Sequence, residues 1–423
     1  MLRTQASAII KRQKPIVIGI TGSVGKTTTK EAVYSVVSAM MTARKSDKNF
    51  NNEIGLPLTI IGGDVPGRSI VRWCVILLRG ARLSFFQSSA YPKVLVLEMG
   101  ADRTGDLQYL TDIVNPDIGI VTAVGLAHAE HLGDLDAIAK EKSVLAKQTK
   151  RNGWLILNAD DERVARMAEK AKTHNIITFG LTPDAAIRGS DVATRQIDVE
   201  GNRVWGVGWK LQSDGHVVPM FMHGVVGKQA VYAGLAAAAC GVAMGMHLVQ
   251  IGEALRTMTA PRGRMRVLRG IKHTTIIDDT YNASPLAMRA ALETLAEMTP
   301  EGDGRRVACL GDMLELGKHT EREHYDIGLR VVENTVDLLI TVGQRSRDIE
   351  LGAKNAGMSE DAMLHFPDAE SARKVVQEKI RKGDIVLVKG SQGIRMERVV
   401  KEIMTEPDRA SEELVRQERS WMK

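Results

Sequence analysis

At 423 residues with 44% hydrophobic content, the chain is long enough for two or three separate cores, so more than one domain is expected. Its 57 Lys and Arg against 51 Asp and Glu leave a mild +6, and aromatics make up only 4%; that balance excludes a nucleic-acid platform and is met by small anionic ligands. Cys74, Cys240 and Cys309 lack metal or disulfide spacing and read as small core residues in a reducing cytoplasm, and no run approaches the ~20 apolar residues of a membrane span.

Taken in chain order, the apolar run 15–20 predicts a buried strand and 29–41 a helix, with Gly19-Ile-Thr-Gly-Ser-Val-Gly-Lys-Thr-Thr-Thr-Lys30 between them. Gly22 and Gly25 permit a tight turn that aims backbone N–H groups and a helix N-terminus at phosphate oxygens. Lys26 adds positive charge for the β- and γ-phosphates, and the Thr27 hydroxyl is a Mg²⁺ ligand. Gly22, Ser23, Val24, Gly25, Lys26, Thr27 and Thr28 are therefore expected to cradle a nucleotide. Ile20 stands where the usual pattern has its first glycine, so the motif is the shortened T-G-x-x-G-K-T. Asn49, Asn51 and Asn52 form a polar loop suited to a substrate or phosphate, and asparagine serves equally as a turn former. In 70–86 apolar residues are interrupted by Arg72, Arg79 and Arg82, with Trp73, Phe85 and Phe86 near the ends. This basic amphipathic helix is expected to pack on the sheet with its arginines in water; contact with a membrane surface or a partner chain is the second reading.

Strands at 94–98, 118–122, 155–158 and 176–179, with helices at 135–148 and 159–172, predict a doubly wound parallel sheet. Glu98 falls at its carboxyl edge, where such sheets bind ligands and where Mg²⁺ bridges a carboxylate to phosphates; His128 follows the next strand on the same edge. Turn-punctuated segments over 186–222 predict antiparallel hairpins, and an alanine-rich helix follows over 229–246. The break Ala260-Pro-Arg-Gly-Arg264 predicts a domain boundary before a new series with strands from 274, at 307–310, 338–342 and 385–389. The charged tail beyond Glu406 reads as a solvated or frayed helix.

Five segments, Lys48-Asn-Phe-Asn-Asn-Glu-Ile-Gly-Leu-Pro57, Glu98-Met-Gly100, Asp278-Asp-Thr-Tyr-Asn-Ala-Ser-Pro285, Gly311-Asp-Met-Leu-Glu-Leu-Gly317 and Lys389-Gly-Ser-Gln-Gly-Ile-Arg-Met-Glu397, resemble the Mur ligase family in order along nearly the whole chain. Within that family the chain is most similar to members that add D-alanyl-D-alanine to a UDP-N-acetylmuramoyl-tripeptide. The resemblance implies an α/β fold: a P-loop domain, residues 1–262, with a mostly parallel sheet and a β-hairpin extension, then a Rossmann-like domain, residues 263–423. It implies a cytoplasmic, monomeric ATP- and Mg²⁺-dependent amide ligase of cell-wall synthesis acting through an acyl phosphate on small-molecule and peptide substrates.

Carried over residue by residue, the family's pattern makes Thr27, Glu98 and His128 metal ligands and Lys142, rather than neighbouring Lys140, the lysine that is carbamylated to hold a second Mg²⁺. Lys26, Lys142 and His128 form the implied catalytic set. Arg264 and Asp278 or Asp279 would hold the nucleotide's phosphate and ribose. Asn282, Asp312, Glu315, His324, Lys389 and Arg395 would line the face receiving the amine, although Asp312 and Glu315 also suit a helix cap. Where the family has His and Asn near adenine, this chain reads Gly227-Lys-Gln-Ala-Val-Tyr, leaving Gln229 as the available amide. The family's separate UDP-gripping domain, of roughly a hundred residues, has no room before residue 15; a different acceptor, a partner chain or the segment 61–92 is expected to compensate. Two alternatives stand: an amide ligase for a poly-γ-glutamate, folate-like or lipid-linked acceptor, and a nucleotide-binding subunit that works with a partner chain.

Overall fold

Continuous runs of Ile, Val and Leu without polar alternation suit strands covered on both faces, and the chain uses them to build two largely parallel sheets. The computed structural model describes residues 1–46, 50–64, 66–127, 129–199, 202–418 and 421. The first sheet contains β1 (Ile16–Thr21), β2 (Ala43–Lys45), β3 (Val94–Glu98), β4 (Ile118–Val121), β5 (Trp154–Asn158), β6 (Asn175–Gly180), β7 (Ile187–Val199), β8 (Asn202–Ser213) and β9 (His216–His223). Their order is β2-β3-β1-β4-β5-β6-β7-β8-β9, parallel as far as β7 and antiparallel through the β7-β8-β9 extension. The chain passes from β3 across β1 to β4, so the topological switch lies at the carboxyl ends of these three strands, the crevice where open α/β sheets bind ligands.

The second sheet holds β10 (Arg266–Arg269), β11 (Thr275–Asp279), β12 (Arg306–Gly311), β13 (Leu338–Val342), β14 (Met363–Phe366) and β15 (Ile385–Lys389), ordered β10-β11-β15-β12-β13-β14. Only β10 runs antiparallel to its neighbour. One apolar cluster extends from Ile18 and Val36 through the helix Lys228–Ala243 to Ile277, Leu292 and Leu310, so the two sheets share a core. Separate clusters cover the opposite face of each.

Four helices precede β3: α1 (Leu2–Gln13), α2 (Lys26–Ser38), α3 (Gly55–Ile61) and α4 (Ile70–Phe85). α2 begins three residues ahead of the expected 29–41, because Gly25, at φ 86°, turns the chain directly into its first helical turn. The helix expected at 159–172 shrinks to Glu162–Ala165 and a 3₁₀ turn, Arg166–Lys170, since residues 158–161 are held in an Asx turn and cap, with Asn158 accepting from Asp160 N–H and Asp161 from Val164 N–H. α4 does not lie on the sheet as expected. It packs on α1, with Ile76, Gly80 and Leu83 buried, and leaves Val71, Val75 and Leu78 exposed. Cys240 and Cys309 are core thiols, whereas Cys74 is exposed on α4. The tail is docked rather than frayed up to residue 418: residues 405–409, 411 and 412 are exposed as expected, but Ala410 and Leu414 are buried, and Arg416 forms a buried ion pair with Glu397 at 3.0 Å. Among the described residues no helix is long and apolar enough to cross a membrane.

Candidate active site

The loop between β1 and α2 is shaped by its glycines. A Cβ on Gly22, at φ 149°, would meet Thr122 Oγ1 at 1.9 Å, so the loop sits directly on the end of β4. Ser23 N–H donates to Ala123 O at 2.7 Å and Thr122 Oγ1 donates to Val24 O at 2.6 Å, fixing the loop to β4. Because α2 starts at Lys26, the first-turn N–H groups, which lack helical partners, face the same cleft. Lys26 Nζ folds back to donate to Gly22 O at 2.7 Å, and burial pulls its pKa down against the attraction of Glu98. Parallel pairing sets Ile20 opposite Glu98, which brings the Thr27 hydroxyl to 3.1 and 3.3 Å from the Glu98 oxygens; Asn51 Nδ2 reaches the same carboxylate at 3.4 Å.

Lys142 enters from the helix Leu135–Gln148, whose first turn is capped by Asp134. It is 2% exposed, whereas Lys140 faces solvent. Desolvation first, and the charge of Lys26 second, bring the Lys142 ammonium down to about 7. The neighbouring Glu141 accepts from Gly105 and Leu107 N–H at 3.0 and 2.9 Å, tying this helix to the segment after β3. His128 and Asn49 lie outside the described residues. Asp161 holds the approach to 128 by accepting from Val124 N–H at 2.7 Å.

The second sheet brings its own groups to this edge. Arg264 comes within 3.5 Å of Thr27 Oγ1 and stacks on the Tyr281 ring at 3.9 Å. Between the sheets lies a cleft of about 530 Å³, lined by Ser23, Lys26, Asn51 and Glu98 from one side and Tyr281, Asn282, Glu315 and Ser391 from the other, with Trp421 of the tail. A second cavity shares Asn51, Asn52 and Glu315 and continues past Arg103 to Tyr109 and His131. Asn52 also acts as a turn former, accepting from Gly55 N–H at 2.9 Å.

Several expected residues are committed elsewhere. Asp278 is fully buried and accepts from the Thr280 hydroxyl at 2.6 Å, and desolvation raises its carboxyl to about 6. Asp279, the alternative, points the other way into a small cavity beside Val24 and Gly25, as alternation along a strand requires. There Lys389 Nζ donates to it at 2.6 Å and to Asn282 O at 2.8 Å, so Lys389 is an internal counter-ion rather than a lining group of the larger cleft. Asp312 accepts from Ser346 N–H at 2.8 Å and caps that turn, not the helix following Leu316. His324 is buried, its Nε2 accepting from Met313 N–H at 2.9 Å. Arg395 pairs with Glu397 at 2.5 Å and donates to Trp421 O at 2.8 Å. Glu315 does face the cleft, and its carbonyl accepts from Glu130 N–H at 3.1 Å across the two sheets. Sequence reasoning missed Tyr281, although it stands within Asp278–Pro285, and Trp421, hidden in the charged tail.

The Thr27 hydroxyl and the buried Glu98 carboxylate, adjacent and both hard oxygen donors, fit a Mg²⁺ site. Among the described residues no cluster of three or more His, Cys, Asp and Glu is present. The family model "Mur ligase middle domain" matches residues 20–63 and 80–241, and "Mur ligase, glutamate ligase domain" matches residues 263–392. The chain belongs to the Mur ligase family. Membership makes it an ATP-dependent, ADP-forming amide ligase. This Mur ligase is 29% identical over 406 residues to the UDP-N-acetylmuramoyl-tripeptide--D-alanyl-D-alanine ligase of Bacillus subtilis, covering 96% of this chain and 79% of the relative. It is 32% identical over 393 residues to the enzyme of that name from Mycobacterium leprae, covering 89% and 71%. Among solved structures it resembles MurF ligase from Thermotoga maritima in complex with ADP, with a TM-score of 0.78 at 26% identity covering 96% and 84%. MurF from Acinetobacter baumannii gives 0.77 at 25%, covering 94% and 79%.

Proposed function

We propose that this Mur ligase joins D-alanyl-D-alanine to a UDP-N-acetylmuramoyl-tripeptide in the cytoplasm, with residues 1–262 binding ATP and residues 263–423 receiving the amine. The single observation that carries the reading is the convergence across one cleft of Lys26, Thr27 and Glu98 with Arg264 and Tyr281 of the opposite sheet. An oxygen of the tripeptide's terminal carboxylate attacks the γ-phosphorus as the bond to ADP breaks. The dipeptide's amino nitrogen then attacks the acyl carbon, loses a proton and expels phosphate.

Both reacting partners are anions at the first step, so positive charge has to converge there. Lys26 and Arg264 supply it from opposite sides of the cleft. Mg²⁺, held by Thr27 and Glu98, would add charge neutralisation on the phosphates. The unpartnered amide oxygen of Gln229, buried beside Val24 and Gly25, is suited to accept from the adenine amino group, and Asp279 from the ribose. A lysine near pKa 7 holds a large neutral fraction at physiological pH, the form that captures CO₂; this supports Lys142 as the carbamylated lysine. Asn51, Asn52, Asn282 and Glu315 face the two substrates, with Asn282 and Glu315 on the amine side.

The test is phosphate release from ATP with tripeptide precursor and D-alanyl-D-alanine together and with each omitted. Release requiring both, with the coupled product in the mass spectrum, is the expected result. Release independent of the dipeptide, or coupling only to another acceptor, would overturn the assignment.

A further inference from the structure

α4 presents six large apolar side chains to solvent, Ile70, Val71, Val75, Leu78, Phe85 and the adjoining Phe86, of which Val71, Leu78 and Phe85 are 73%, 70% and 73% exposed. Val71, Val75, Leu78 and Phe85 recur at helical spacing and make one stripe, with Arg82 inside it and Arg72 and Arg79 along its border. Contiguous exposed apolar surface of this kind marks a contact. Residues 64–79 lie outside the segments matched by the family model.

The charge around the stripe identifies what it contacts. Segments 1–14 and 65–93 carry nine Lys and Arg and no Asp or Glu, so the chain's +6 leaves −3 for everything else. All nine are exposed, and among the described residues Arg3 alone of them is paired with an acid, Asp112 at 3.5 Å. α1 and α4 are locked side by side: Gln5 Nε2 donates to Leu77 O at 3.0 Å, and Gln13 Nε2 donates to Leu83 O and Phe86 O at 2.6 and 2.7 Å. The absence of a Cβ on Gly80 permits this approach, since one would sit 2.4 Å from Gln5 Oε1.

We propose that the outward face of α4, flanked by the cations of α1, is a docking surface for an anionic lipid bilayer. Apolar residues interleaved with arginines on a single convex helix suit an interface where side chains enter the acyl boundary and guanidinium groups reach headgroup phosphates. A 16-residue helix is too short to span a bilayer and lies along it. A second copy of the chain is disfavoured as the occupant, because it would set the same cations against one another. The geometry also leaves catalysis free. Phe85 and Phe86 sit beside Gln13, just before β1 begins, whereas the phosphate loop is at the opposite, carboxyl end of that strand.

The test is flotation of the full chain with vesicles of phosphatidylglycerol and phosphatidylcholine in equal parts, against phosphatidylcholine alone. Binding is expected only with the anionic lipid and falls as salt is raised. R72Q/R82Q weakens it by about 25-fold, roughly five-fold per arginine, and V71S/L78S/F85S abolishes it, with melting temperature and ATP turnover unchanged in both. No flotation with anionic vesicles, or undiminished flotation of V71S/L78S/F85S, would overturn the proposal. So would a wild-type dimer in light scattering that this triple variant dissolves, since the face would then be covered by a second copy.

Discussion

Lys142 illustrates how one side chain couples stability to chemistry. Its pKa is lowered from 10.5 to about 7, so between those values the unfolded chain binds a proton that the folded one does not. Its contribution to stability therefore rises with pH through that window, and the cost of burying the cation is fully present below about 7. Lys142→Met removes the cation while keeping the volume. The variant should be more stable than the parent by about 1–3 kcal/mol at pH 6.5, with the gap narrowing as pH rises from about 7 towards 10.5, and should lose ligase activity; thermal melts and phosphate release check the two halves. Retained activity would remove Lys142 from the mechanism. Gln229→Leu tests the nucleotide end: losing one amide acceptor should raise the KM for ATP about ten-fold, with the fold unchanged by circular dichroism.

At the scale of elements, the C-terminal tail acts as a brace for the nucleotide side of the cleft. Arg416 donates to Thr280 O at 3.0 Å and to Tyr281 O, and it neutralises Glu397, so it holds the ring on which Arg264 stacks. Arg416→Ala should destabilise the protein by about 2–4 kcal/mol, because a buried carboxylate loses a partner and two carbonyls lose their donor. Urea unfolding measures this, and a raised KM for ATP should accompany it. The sequence made β3, β13 and β15 legible to the residue, since unbroken apolar runs bounded by turns have few other uses. The tail was opaque because a few anchors, Leu414, Arg416 and Trp421, stand among many charges and act only through distant partners. α4 was misread for a related reason: periodicity shows that a helix has two faces without showing which one is covered. Within the site, the phosphate loop was readable from its spacing. Adjacent members of a motif were not separable, since Asp278 and Asp279 alternate sides of one strand and only packing decides which meets the cavity.

The whole molecule consists of two sheets that share a core and meet over one cleft, with the reacting groups divided between them. Backbone contact between Glu130 and Glu315 and the reach of Arg264 to Thr27 draw the two sides together, an arrangement that would shield the proposed acyl phosphate from water. The most direct test of this account follows the acceptor's oxygen. With ¹⁸O in both positions of the tripeptide's reacting carboxylate, attack on the γ-phosphorus transfers a single labelled oxygen, so each released phosphate should carry one ¹⁸O and the new amide carbonyl the other. Coupled product accompanied by unlabelled phosphate would contradict the acyl-phosphate route.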